Sequence, residues 1–245
     1  MIQGKKCKIS SIGVIGAMDV EVDLLINELG DAACIQIADC RFYSGEIAGV
    51  DIIVVKCGVG KVNAARVTQM MIDNYAPSVI INTGVAGGLS QDIKVGDIVI
   101  GTGLVQHDFD ITFFGHVRGH LSTGHDSGKP TIFDSDDKLV ELFNEAASSV
   151  VNNDCIHLGI ISSGDQFIAD ADIKKKIFSE FYAVAAEMEG AAVAQTAYYS
   201  SVPFVVVRAV SDDAEGVHPA SYPDFERETA IVSAKIILEM IKKIN

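Results

Sequence analysis

The chain reads as an α/β fold: a single domain whose central, mostly parallel mixed sheet is flanked by helices. Three observations predict it. Short runs rich in Val, Ile and Ala recur and end in glycine, as strands buried on both faces do. Between them the apolar residues repeat at helical spacing, so strand and helix alternate along the chain. The 245 residues are 49 % hydrophobic with no Trp, enough aliphatic material for one large core. Residues 1–8 are polar and basic and read as an N-terminal extension; residues 9–245 form the domain.

Residues 9–17 are rich in Ile, Val and Gly and predict a buried first strand. Residues 19–29 follow as a helix, with Val20, Leu24, Leu25 and Leu29 on one stripe. Residues 41–47 and 51–57 pair as a hairpin around Ala48-Gly49-Val50. Gly58-Val59-Gly60-Lys61 turns into a helix that presents Ala64, Val67, Met71 and Tyr75, and Pro77 separates it from a strand over 79–82. Thr83-Gly84-Val85-Ala86-Gly87-Gly88-Leu89 reads as a Gly-rich turn after that strand. Residues 95–105 are a further apolar run, and residues 107–130 a long polar loop of the kind usually kept for function or movement. A helix is expected over 136–150, a strand over 156–162, a strand over 181–188 and a small-residue helix over 190–199. A buried strand over 203–210 ends at Ser211-Asp212-Asp213. The last helix spans about 225–244, with Ile237, Met240, Ile241 and Ile244 on its stripe.

Composition excludes several classes. Lys and Arg total 19 against 33 Asp and Glu, a net charge of -14, which is the wrong sign for a phosphate backbone. No nucleic-acid partner is expected, though a nucleoside without phosphates fits. The five cysteines, Cys7, Cys34, Cys40, Cys57 and Cys155, match no metal or redox spacing and suit reduced thiols. No apolar run approaches the roughly 18–20 residues of a membrane span, and no signal-peptide pattern follows Met1. A cytoplasmic protein without membrane contact is expected. His107, Asp108 and Asp110 resemble scattered metal ligands but lack a second cluster, so no metal and no cofactor is expected. No G-x-S-x-G occurs, and neither Gly-rich turn is a P-loop.

What remains is a set of carboxylates in apolar surroundings. Glu187-Met188-Glu189 sits inside a run of small residues where the pattern reads as core, and ionised Glu is costly to bury without a partner. Both share a strand parity, but Gly190 interrupts the strand and leaves open which one faces a ligand. Glu21, in the first turn after strand one, also complements a helix dipole. Ser211-Asp212 also suits an N-cap or Asx-turn. Ligands of open α/β sheets bind outside the carboxyl ends of strands, the zone that holds Glu21, residues 83–88, Asp165, Glu187, Glu189 and Asp212.

The order of these segments carries more than any one of them. Gly13-Val14-Ile15-Gly16-Ala17-Met18-Asp19-Val20-Glu21, Asn82-Thr83-Gly84-Val85-Ala86-Gly87-Gly88, Val95-Gly96-Asp97-Ile98-Val99, Ser163-Gly164-Asp165-Gln166-Phe167-Ile168, Glu187-Met188-Glu189-Gly190 and Val207-Arg208-Ala209-Val210-Ser211-Asp212 occur in one chain. The sequence resembles, over nearly its whole length, the bacterial 5′-methylthioadenosine/S-adenosylhomocysteine nucleosidases of the purine nucleoside phosphorylase-like superfamily. The resemblance implies a nucleoside phosphorylase/hydrolase-like fold and hydrolysis of the adenine–ribose bond through an oxocarbenium-like transition state. Methylthioadenosine, S-adenosylhomocysteine and 5′-deoxyadenosine are the implied substrates, and methionine salvage and S-adenosylhomocysteine recycling the implied setting.

The roles carry over by position. Asp212 matches the general acid that protonates adenine N7, and Glu21 the group that positions and deprotonates water. Glu189 matches the carboxylate on the ribose hydroxyls, with Met188 beside the sugar. Phe167 matches the ring stacked on adenine, and the Ile168 backbone the partner reading its edge. Met18, Val59 and Tyr222 match pocket walls, Gly87 a substrate contact, and Arg208 and Ser211 the support of the water site and Asp212. Ile111 and Phe114 match apolar residues lent by a neighbouring subunit, implying a homodimer. The chemistry calls for Asp212 held neutral, with a raised pKa, and for Glu21 ionised. Two departures stand out. Val85 replaces a Ser that several members carry, removing a hydroxyl contact, and residues 115–124 lack a Pro that many members place there.

Three rival readings are a phosphorolytic nucleoside phosphorylase, a hydrolase of 6-amino-6-deoxyfutalosine, and a non-catalytic nucleoside-binding module. Phosphate needs convergent guanidinium groups, and the chain has only Arg41, Arg66, Arg118, Arg208 and Arg227. Glu21 would also repel phosphate. The futalosine reading demands only a different outer pocket. A binding module would not need Glu21, Glu189 and Asp212 together.

Overall fold

The computed structural model describes residues 9–121, 128–215 and 222–244, the stretch 222–226 by backbone alone. The extension over 1–8 lies outside the described residues. The chain opens with β1 (Ser11–Gly16), α1 (Asp19–Asn27), β2 (Gly30–Ile37), β3 (Cys40–Ile47), β4 (Val50–Lys56) and α2 (Lys61–Tyr75). It continues through β5 (Val79–Gly88), β6 (Ile98–Gln106), β7 (Phe133–Asp134), α3 (Asp137–Ala147) and β8 (Ile156–Ser163). It ends with α4 (Ala171–Phe181), β9 (Ala183–Glu187), α5 (Gly190–Tyr199), β10 (Phe204–Asp212) and α6 (Tyr222–Lys243).

The sheet is mixed. Parallel pairing runs through β4–β1–β5–β10 and through β6–β8–β9. Antiparallel pairing adds the β2–β3–β4 edge, joins β10 to β6, and joins β9 to β5. Because β10 pairs with both β5 and β6, the five strands β5, β9, β8, β6 and β10 close on themselves. Helices cover both faces. α2 and α5 pack on one, against Ile15, Ile80, Val206 and Val210. α1, α3 and α6 pack on the other, against Val14, Ile81, Val205 and Val207. The alternation within β10, which is buried throughout, feeds both cores. None of the described helices is long and apolar enough to cross a membrane.

Several boundaries differ from the sequence expectation for identifiable reasons. Residues 83–88 are not a turn: β5 runs on to Gly88, because its glycines let the strand lie flat against β10 and β9 while carboxylates pack over it. β2 is exposed along nearly its whole length, so it lacks the alternation that marks a strand. α4 is hidden by three consecutive lysines, Lys174, Lys175 and Lys176. Its signal is the Asp170 N-cap, which accepts from Asp172 N and Ile173 N, with Ile173, Ile177 and Phe181 at helical spacing. α4 takes Phe181, and Tyr182 closes it at φ 54°, so β9 is shorter than the expected strand. The 41–57 hairpin turns at Ala48 and Gly49 with φ of 51° and 80°, the left-handed pair a two-residue turn requires.

Candidate active site

Strand register brings the carboxylates together. Asp212, at the end of β10, lies opposite Gly87 of β5; Gly87 lies opposite Ala186 of β9; and the next residue, Glu187, lies opposite Ser163 of β8. These strand ends open on a cavity of about 220 Å³. It is walled by Ala17, Met18, Glu21, Val59, Val85 and Ala86, with Gly87, Phe167, Ala186, Glu187, Met188, Glu189 and Ser211 completing the lining. Eight of the expected site residues are among them: Met18, Glu21, Val59, Gly87, Phe167, Met188, Glu189 and Ser211.

Glu21 is both helix cap and site residue. Its Oε2 accepts the N–H groups of Met18, the N-cap of α1, at 3.0 Å and of Ala17 before it at 2.6 Å. Its other oxygen lies over Gly84, where a Cβ would come within 2.6 Å of Oε1. Burial pushes the Glu21 carboxyl pKa up, opposed by the Arg208 charge and by backbone N–H groups of Met18, Ala17 and Val85. A raised pKa makes it a stronger proton acceptor. Gly84→Ala is expected to displace Glu21 and to cost about 1–3 kcal/mol of stability, readable as a lowered urea midpoint. An unchanged midpoint would contradict this close approach.

The two neighbouring glutamates differ in their partners. Glu187 is committed to structure. It accepts Arg208 Nη2, Ser163 Oγ and the N–H groups of Glu189 and Gly190, and so caps α5 from beneath. Glu189, at the N-cap position of α5, turns instead to Gly60, whose N–H it accepts through Oε1 at 2.7 Å. The Gly58-Val59-Gly60-Lys61 turn therefore receives anions from the protein itself, since Lys61 N donates to Asp165 Oδ1 at 2.8 Å. Burial, and next the charge of Glu187, push the Glu189 pKa up to about 7, against Arg208 and the Gly60 N–H.

Arg208 is the hub. Its side chain is fully buried, and it donates to Glu187, to Asn82 Oδ1 and to the backbone carbonyls of Asn82 and Val207. Asn82 is fixed in turn by its own bond to Ile15 O at 2.8 Å. The Arg208 charge acts on Glu187, Glu189 and Glu21 together, so three carboxylates share one guanidinium.

Asp212 does not line the cavity. It is 1 % exposed and sits behind Gly87, where a Cβ would lie 2.8 Å from Oδ2. Its Oδ1 accepts the Ser211 hydroxyl at 2.9 Å, and its Oδ2 accepts Lys174 Nζ in a buried ion pair. Sequence alone predicts a neutral carboxyl here and gives no sign of Lys174.

The remaining expected residues divide. Phe167 is exposed at the cavity mouth, whereas Ile168 is buried beside Leu89, Val105 and Ile177. Ile111 and Phe114 sit on a surface turn away from the cavity, with Phe114 facing solvent. Tyr222 begins α6, but its side chain lies outside the described ones. Asp108, read as a possible metal ligand, is taken by Lys61 Nζ and by Asp165 N at 2.8 Å.

The Phosphorylase superfamily profile matches residues 11–242. A 5′-methylthioadenosine/S-adenosylhomocysteine nucleosidase of Exiguobacterium sp. is 40 % identical over 235 residues, covering 96 % of this chain and 98 % of its own. The crystal structure of the Neisseria meningitidis nucleosidase of that name, in complex with methylthio-immucillin-A, superposes with a TM-score of 0.88. It is 37 % identical and is covered over 99 %, against 96 % of this chain. The futalosine hydrolase of Helicobacter pylori superposes with a TM-score of 0.87 at 32 % identity, over 96 % of this chain and 98 % of that one.

Proposed function

The chain belongs to the Phosphorylase superfamily and, within it, to the 5′-methylthioadenosine/S-adenosylhomocysteine nucleosidases, and on that footing we propose that Asp212 and Glu21 are its acid–base pair, with Glu189 holding the sugar between them. The enzyme hydrolyses the N-glycosidic bond of methylthioadenosine and S-adenosylhomocysteine, releasing adenine and the thioribose derivative.

Breaking that bond puts positive charge on the ribose and negative charge on the leaving purine. Carboxylates poised in a water-poor site stabilise the first charge, and a proton delivered to N7 removes the second. Glu189 would accept from the ribose hydroxyls, and Glu21 would take a proton from the attacking water. Phe167 would stack on adenine, bounded by Met18, Val59 and Met188, and the Ile168 backbone would read its edge; for Tyr222 the pocket-wall role rests on the family resemblance alone. The observation that carries hydrolysis over phosphorolysis is the lining of the cavity: among the described residues three carboxylates reach it and no Lys or Arg does. Arg208 is already spent on Glu187 and Asn82.

The test is adenine release from methylthioadenosine, S-adenosylhomocysteine and 6-amino-6-deoxyfutalosine, with and without phosphate, the free sugar being identified by mass. Release from the first two without phosphate is expected; strict phosphate dependence would overturn the reading. The Helicobacter pylori neighbour makes futalosine hydrolysis the second reading, and turnover of the third nucleoside alone would favour it.

Protonation of Glu189 removes the charge that the cationic sugar needs. With its pKa pushed up to about 7, kcat/KM is expected to fall as pH drops through about 7, with Glu21 adding to the same limb. An acid limb near the ordinary Glu value of about 4.3 would contradict this. We further propose a cytoplasmic homodimer in which Ile111 and Phe114 complete the partner's pocket, supported by the outward-facing Phe113 and Phe114. Light scattering at the mass of one chain would refute it.

A further inference from the structure

Lys174 stands where the pattern of α4 calls for an apolar residue. It shares a buried face with Ile177 and Phe181 and is fully buried itself. A lysine buried in this way must be paired, because an ammonium loses its hydration at great cost. Its partners both come from the end of β10 and the residue after it: the Asp212 carboxylate and the Asp213 carbonyl, each of which accepts from Nζ. Asp212 thus has a donor on each oxygen, Ser211 Oγ on Oδ1 and Lys174 Nζ on Oδ2, an arrangement that suits the ionised form. A carboxylate in that state has no proton of its own to give.

We propose that Lys174 is the positioning residue of the acid and the source of its proton: Lys174 Nζ gives a proton to Asp212, and Asp212 passes one to N7 of the leaving adenine. The inference rests on the reading of Asp212 as the general acid. Its balance is closed. The C–N bond breaks with its electron pair on the purine, which takes a proton and leaves as neutral adenine. Lys174 is left as a neutral amine and Asp212 as a carboxylate. Water adds its hydroxyl to the sugar and yields its proton to Glu21. Solvent then reprotonates Lys174 and takes the proton from Glu21. Gly87 supports the step: it lines the cavity and lies against Asp212, so close that a Cβ there would come within 2.8 Å of Oδ2.

The experiment compares Lys174→Met, Lys174→Arg and Asp212→Asn on methylthioadenosine and on a 4-nitrophenyl 5-methylthioriboside, whose leaving group departs as a stable anion without a proton. Lys174→Met is expected to lower kcat on methylthioadenosine by about 100-fold with KM within a few-fold, and to keep nitrophenyl release within a few-fold of the parent enzyme. Lys174→Arg keeps the charge but its guanidinium does not give up a proton, so it should stay as slow on methylthioadenosine. Its folding is protected by the retained pair, and nitrophenyl turnover reports the folded fraction of each variant. Equal loss on both substrates, full activity of Lys174→Arg, or parental kcat in Lys174→Met would overturn the proposal. If Asp212→Asn is slow while Lys174→Met is fast, only the Lys174 role fails. If Asp212→Asn turns over methylthioadenosine like the parent, the acid assignment itself fails.

Discussion

Asp212→Asn is expected to lower kcat on methylthioadenosine by about 10²- to 10⁴-fold, roughly 3–5 kcal/mol of barrier, while nucleoside binding survives. The amide is nearly isosteric: its one oxygen can accept from Lys174 while its NH2 donates to the Ser211 hydroxyl, whose own proton can go to Ala86 O, so the closed pocket behind Gly87 need not repack. What it lacks is the capacity to carry a proton to the purine. An interaction made only in the transition state shows in kcat rather than in KM. Single-turnover kinetics with equilibrium binding of a non-hydrolysable analogue separate the two. A variant with parental kcat would remove Asp212 from the chemistry and leave it as a structural partner of Lys174. A variant that lost binding and turnover alike would mark it as a substrate-holding group instead.

Arg208→Met is expected to be the most destabilising single change in the site, costing about 3–5 kcal/mol. The cost is not the pair's own strength. Removing the guanidinium strands Glu187 in a dry environment, leaves Asn82 Oδ1 without its donor, and takes away the charge that offsets burial at Glu21 and Glu189. A buried ionised group without a partner is far more costly than the same pair replaced entirely. Urea unfolding should therefore show a much lower midpoint for Arg208→Met and partial recovery in Arg208→Met/Glu187→Gln. A midpoint within the equivalent of about 1 kcal/mol of the parent, a typical point-mutation cost, would sink the idea that Arg208 is the hub. In the folded fraction the Glu189 pKa should rise further, moving the acid limb of kcat/KM to higher pH.

Much of the fold was legible because burial leaves a mark on sequence. β1, β8 and β10 show as apolar runs ended by glycine or serine, and α2 and α6 as stripes at helical spacing. The failures share a cause. β2 is solvated on both faces, so nothing in its sequence had to alternate. α4 presents Lys175 and Lys176 to solvent but buries Lys174, and a lysine run gives no hint of which member faces inward. The glycines of β5 read as a turn because glycine usually serves backbone conformation. At Gly84 and Gly87 it serves proximity, leaving room for a carboxylate over the strand.

The candidate site divides along the same line. Sequence alone determined which residue types were present and in what order, and that order sufficed to name the family and the reaction. Only the tertiary structure decided which partners each carboxylate meets. Glu187 and Glu189 differ by two positions and by nothing in composition. One meets a guanidinium and a helix N-terminus, the other a backbone N–H at the cavity wall. Glu21 is ordinary as a helix-start residue until burial raises its pKa. Asp212 and Lys174 are 38 residues apart, and nothing local connects them. The physical reason is range. Propensity and periodicity act within a few residues of the chain. The charge state and task of a carboxyl are set by its distance to other charges and to water, and those distances exist only once β5, β8, β9 and β10 have closed around the site.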